Sequence, residues 1–69
     1  MDLTNEEKIQ VIKERIFNKD LLIAQYRKLV DENKDDKDYP LEKIEGYLSN
    51  IDTLNLMKEV LNNEIIKLT

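Results

Sequence analysis

Apolar residues recur along this chain at helical spacing in two long runs, interrupted once. In the first run Ile9, Ile12, Ile16, Ile23, Tyr26 and Val30 follow at steps of 3, 4, 7, 3 and 4, and Lys19 fills the position missing from the series. That period lines one face of an α-helix. Leu22 and Leu29 flank the series, which makes the stripe wider than a strict coiled-coil seam. A second set, Val11, Phe17, Leu21 and Ala24, lies elsewhere on the same helix. A helix packed against a single partner has no use for it. In the second run Leu41, Ile44 and Leu48 open a stripe that Tyr47, Ile51, Leu54, Met57, Leu61, Ile65 and Leu68 continue, with Val60 widening it. Leu56 and Ile66 fall off this stripe and repeat the surplus of the first run.

The ends of the runs carry helix signals. Thr4-Asn5-Glu6-Glu7 has the capping-box pattern, in which the Thr hydroxyl and the Glu carboxylate each accept from the other residue's backbone N–H. Glu6 and Glu7 also suit the positive end of the helix dipole. The first helix is therefore expected over about 5–32, an acidic turn over 33–39, and the second helix over about 40–67. Proline is favoured at the first helical position with an extended residue before it, so Tyr39 is the expected cap and Pro40 the expected opening residue. Asn18-Lys19-Asp20 is the weakest stretch of the first helix, where a kink is the alternative to continuity. Ser49 could cap a separate third segment, and Asn62-Asn63 weakens the last turns. Gly46 costs about 1 kcal/mol relative to Ala inside a helix, either for no reason or for close approach of another backbone.

Two helices of this length joined by a short turn must run antiparallel. The fold expected is all-α: one domain, residues 1–69, an antiparallel two-helix hairpin of coiled-coil type. The chain has 41% hydrophobic residues, more than one helix–helix interface can hide. Each Leu or Ile fully buried is worth about 1.5–3 kcal/mol. Self-association into a helical bundle, as a homodimer, is therefore expected to complete the fold.

Charge adds a polarity to this outline. The net charge is −4 and the pI is about 4.7. Residues 31–38 hold five acids and two lysines, so most of the net charge sits at the turn. Nucleic-acid binding needs a basic stripe to displace counterions, and the sequence supplies none. No run reaches the roughly 18 apolar residues of a membrane span. The start, MDLTNEEK, is acidic and polar, unlike a signal peptide, and a cytoplasmic location is expected.

The chemistry-bearing residues are few. The absence of Cys and His removes disulfides, thiolates, imidazole bases and the usual zinc ligands. Asp31, Asn33, Asp35 and Glu42 fall at positions 1, 3, 5 and 12 of a calcium-binding EF-hand loop. Against that reading, Asp36 stands where the loop needs Gly, Asp38 where it needs an aliphatic residue, and Pro40 stiffens the exit. A solvated acidic turn is the preferred reading, with no metal and no cofactor. Tyr26, Tyr39, Tyr47, Ser49 and Thr53 form no nucleophile–base pair, so no enzyme is expected. Leu48-Ser49-Asn50-Ile51-Asp52 loosely resembles the Ser-Gln-Glu-Leu-Asp signature of short helical hairpins that dephosphorylate sporulation response regulators. Here Ser and Asp stand one residue closer and the Gln-Glu pair is absent, so the resemblance covers the outline and carries over no acting residue.

The function expected is that of a small non-enzymatic interaction or regulatory protein. It self-associates and binds a partner protein through Val11, Phe17, Leu21, Leu56 and Ile66, or through the acidic Asp35, Asp36 and Asp38 of the turn. The alternative is a small acidic inhibitor, of phage or bacterial type, that mimics nucleic acid or blocks a basic site on its target.

Overall fold

The structure, a computed structural model, describes residues 2–69. Helix α1 runs Asn5–Asn33 and helix α2 Leu41–Leu68. They pack side by side as an antiparallel hairpin, and the described residues contain no strand.

Both bonds of the capping box form at the start of α1. The Glu7 N–H donates to Thr4 Oγ1 at 3.1 Å, and the Thr4 N–H donates to Glu7 Oε1 at 3.1 Å. α1 continues unbroken through Asn18-Lys19-Asp20, and α2 through Ser49 and Asn62-Asn63, because the packed seam outweighs the weak propensity of these residues. At the end of α2 the Thr69 N–H donates to the carbonyls of Ile65 and Ile66.

The turn is two consecutive tight turns. The Asp36 N–H donates to the Asn33 carbonyl at 3.1 Å, and the Tyr39 N–H donates to the Asp36 carbonyl at 3.2 Å. Asp36 Oδ1 also accepts from the Asp38 N–H at 2.9 Å, the local turn bond for which Asp is chosen. Pro40, not Tyr39, occupies the cap position of α2. Its ψ of 124° is still extended, and the helix opens at Leu41. Proline's fixed φ fits a cap as well as a first position, and the geometry of the preceding turn decides between them.

The seam is a regular heptad on both helices. In α1 the positions turned toward α2 are Ile9, Ile12, Ile16, Lys19, Ile23, Tyr26, Val30 and Asn33, half-buried or buried. In α2 they are Ile44, Tyr47, Ile51, Leu54, Lys58, Leu61, Ile65 and Leu68. Steps of 3 and 4 alternate without interruption in each. Leu41, Leu48 and Met57, expected on the stripe, lie outside it at 68%, 47% and 48% exposure, and Lys58 takes the place of Met57. A lysine can fill a seam position with its methylene stem while its ammonium reaches the edge, where Lys58 pairs with Asp20. In antiparallel register the lysine positions of the two seams, Lys19 and Lys58, share one layer near the middle of the hairpin.

The resulting molecule is a rod of 54 × 17 × 14 Å with a radius of gyration of 16.0 Å, where a globular chain of this length has about 11 Å. Among the described residues only Ile12, Ile23 and Ile51 are buried.

Candidate functional site

What the hairpin leaves uncovered defines its candidate site. Its accessible surface is 5672 Å², against about 4,500 Å² for an ordinary folded monomer of this mass. Among the described residues twelve large apolar side chains are exposed, and they do not form one patch. Phe17 and Leu21 lie with Ala24 on the outer ridge of α1, away from α2. Leu56 stands on the outer side of α2, two residues before the seam position Lys58. Ile66 and Leu48 lie on one broad face of the hairpin and Val11 on the other. The five apolar candidates of the sequence are thus all exposed but distributed around the rod.

The two broad faces differ in chemistry. On one, a groove is lined by Arg27, Val30, Asp31, Leu48, Ile51, Asp52 and Asn55. Lys13, Asp20 and Arg27 of α1 and Glu45, Asp52 and Glu59 of α2 recur at heptad spacing along it, with the apolar Leu48 between them and Ile66 beyond them. On the other face three shallow grooves run into one another. The first, at the free ends of the helices, is lined by Leu3, Val11, Ile12 and Leu68 with Lys8, Arg15, Glu64 and Lys67 at its rim. The second shares Arg15 and adds Met57 and Val60. The third shares Met57 and is lined by Leu22, Tyr26, Asn50, Thr53 and Leu54.

This second face was legible but unread in the sequence. Its α1 ridge is Asn18, Leu22, Gln25 and Leu29, and its α2 ridge is Gly46, Asn50, Thr53, Met57 and Val60. Both keep the 3–4 alternation of the seam, and these middle positions are uncharged, while the same ridges continue to Lys8, Arg15 and Glu32 on α1 and to Lys43, Glu64 and Lys67 on α2. Val11, off the seam like Phe17 and Leu21, lies on this face, and they do not.

At the turn end three tyrosines meet. Tyr39 and Tyr47 join hydroxyl to hydroxyl at 2.9 Å, and the rings of Tyr26 and Tyr47 lie 5.8 Å apart, inclined at 30°. The Lys43 ammonium sits 5.9 Å from the centre of the Tyr39 ring. The bond to Tyr47 is the main cause that raises the Tyr39 phenol pKa above its usual value; desolvation and charge repulsion between the two phenols add to it. A raised phenol pKa means that the neutral form is favoured in the folded state. The associated stability is fully present below the usual phenol value of about 10 and is lost as pH rises through the higher folded value. Tyr47→Phe is expected to return the Tyr39 titration toward the usual phenol value, read by tyrosinate absorbance. An unmoved Tyr39 titration would show that the hydroxyl pair does not persist in solution.

The acidic turn does not gather its carboxylates. Asp31 lies within 3.8 Å of Lys34, and Asp36 is engaged with the backbone of Asp38. Asn33 donates its side-chain N–H to the Leu29 carbonyl at 2.8 Å. Asp31 and Asn33 still belong to α1, so the 1, 3, 5 and 12 spacing falls partly on a helix and not on a loop. Among the described residues no three carboxylates come together as metal ligands. Asp35 and Asp38 are exposed. Ser49 and Asp52 are also exposed on α2, while Ile51 between them is core. No helix among the described residues is long and apolar enough to cross a membrane.

No protein-family model, curated protein or solved structure matches this chain.

Proposed function

We propose that this chain is a non-enzymatic helical interaction protein that self-associates and uses its remaining helix faces to hold a partner protein. The observation that carries this reading is the mismatch, among the described residues, between three buried and twelve exposed large apolar side chains on a well-formed hairpin. Isolated exposed apolar residues are ordinary, but ridges repeated along both helices are the mark of surfaces that are covered in use. Burying even a few Leu or Ile side chains at about 1.5–3 kcal/mol each is enough to drive association.

The faces divide by role. Phe17, Leu21, Leu56 and Ile66 are dispersed over the outer surfaces, where they suit a heterologous partner that reaches round the rod. The exposed Asp35 and Asp38 suit a basic contact at the tip. Sedimentation equilibrium at micromolar concentration tests the first half of the proposal, with a dimer as the expected species. A stable folded monomer at all accessible concentrations would remove self-association from the reading. Competition between the captured partner and DNA separates a helix-face interaction from the acidic-inhibitor alternative, in which DNA would displace the chain.

A further inference from the structure

We propose that the three joined grooves between α1 and α2 receive an acidic amphipathic helix of a partner protein, laid along the hairpin as a third helix. The inference rests on the partner-binding half of the reading above and names the surface and the chemistry of what it takes.

Shape comes first. The grooves run from Leu3 and Leu68 at the free end to Tyr26 and Asn50. The part of α1 between Lys8 and Tyr26 is roughly 27 Å long at the helical rise, room for about five turns of a third helix. Val11, Leu22, Met57 and Val60 are exposed along this course. A long apolar channel between two helices suits the convex side of another helix, which fills it with residues at i, i+3, i+4 and i+7. The ridges beside it keep the 3–4 alternation on both helices, the spacing at which a third helix finds holes for its side chains. Farther along the same side of α2, a Cβ added to Gly46 meets nothing within 4 Å, so the hairpin itself leaves that space open.

Charge selects the occupant. Among the described residues, the charged groups lining the three grooves are Lys8, Arg15, Lys19 and Lys67 against the single acid Glu64. The other acids of the free end, Asp2, Glu6, Glu7, Glu14 and Glu59, line none of them. The ion pairs among the described residues are Lys28 with Glu32, Lys34 with Asp31 and Lys58 with Asp20, so all four groove cations are left without a carboxylate. In a chain with fifteen acids and eleven bases, this is a local reversal of sign. The groove on the opposite face has Arg27 against Asp31 and Asp52. Unpaired cations at the rim of an apolar channel attract carboxylates on the flanks of the helix that fills it and oppose a basic one. A second copy offering this same face would set these cations against their own counterparts. An anionic membrane surface is flat and repels a chain of net charge −4.

The test uses the full chain and two designed helical peptides of about eighteen residues, the length of the channel at the helical rise. Both carry Leu at i, i+3, i+4 and i+7; one has Glu on its flanks and the other Lys. Calorimetry reads binding, and circular dichroism confirms that each variant remains helical. The Glu-flanked peptide is expected to bind roughly tenfold or more tighter than the Lys-flanked one, and less tightly as salt rises. Met57→Asp with Val60→Asp is expected to weaken it by about tenfold or more, as loss of central anchors does. Lys8→Glu with Arg15→Glu is expected to reverse the preference between the peptides. Glu64→Lys is expected to tighten the Glu-flanked peptide, a gain that misfolding cannot imitate. Phe17→Asp with Leu56→Asp, on the outer ridges, is expected to change nothing. A wild-type chain that binds neither peptide, or prefers the Lys-flanked one, overturns the proposal. Binding lost in the Phe17 and Leu56 variant but kept in the Met57 and Val60 variant overturns the groove and leaves the partner-binding reading. A wild-type dimer that the Met57 and Val60 changes dissociate, or binding to anionic phospholipid vesicles that they abolish, gives the groove another occupant and overturns this one. A chain that sediments as a monomer and still takes the Glu-flanked peptide through Met57 and Val60 removes self-association and supports the groove.

Discussion

Replacing Ile51 with alanine is expected to lower the stability of the hairpin by about 2–5 kcal/mol, the range for truncating a buried aliphatic side chain. Ile51 is 6% exposed and is the one buried residue that α2 contributes. Domains of this length have total stabilities of roughly 3–10 kcal/mol at about 0.05–0.15 kcal/mol per residue. Half or more of the total can therefore depend on one side chain. The reason is geometric: a rod has little interior, so the few buried positions carry a disproportionate share. A urea titration at fixed protein concentration checks this. The midpoint should fall sharply without a change in slope. Leu56→Ala, at a position 64% exposed, should stay within about 0.5 kcal/mol of wild type. Equal losses at the two positions would mean that the seam is not where the burial pattern places it.

Lys58→Leu is expected to act in the opposite direction and raise stability by about 1–2 kcal/mol. Lys58 is a seam position whose side chain is 26% exposed, and its ammonium is paired with a half-exposed Asp20. An exposed ion pair contributes about 0–1 kcal/mol. A leucine buried in the seam contributes about 1.5–3 kcal/mol, reduced here because the site is not fully enclosed. The apolar term therefore wins. The lysine is kept at a cost, and polar residues at heptad core positions are known to specify register and oligomer state. A layer shared by Lys19 and Lys58 resists any slide that would bring either lysine fully into apolar surroundings. The thermal midpoint should rise in Lys58→Leu. Sedimentation should show the Lys19→Ile, Lys58→Leu double variant populating more than one oligomer. A single species with unchanged stability would leave the lysine layer without a role in specification.

The seam lysines show how far a sequence can be read. Lys19 belongs to the seam because the alternation on either side of it leaves no other candidate. In α2 hydrophobicity favours Met57 over its neighbour, but Met57 gives consecutive steps of 3 and then of 4, where Lys58 restores strict alternation. The period was better evidence than the polarity of the residue, because a lysine stem is apolar along most of its length. The capping box at Thr4 was legible because its bonds are local, within one turn of helix. Pro40 stands one residue before the position its sequence context predicts, because both positions suit its φ and only the path of the turn separates them.

Local chemistry and periodicity by themselves determined two long helices, the residues of their shared seam except Asn33 and Lys58, and the acidic character of the turn between them. These follow from hydrogen bonds and side-chain spacing within each helix, which depend on nothing farther away. Only the tertiary structure decided how far the two helices are slid along each other. With the seams facing and the chains opposed, helix geometry fixes which flanks lie together, but not which residues stand level. The turn through Asp36 and Pro40 sets that register, which brings Lys58 beside Asp20 and Tyr47 beside Tyr26 and Tyr39.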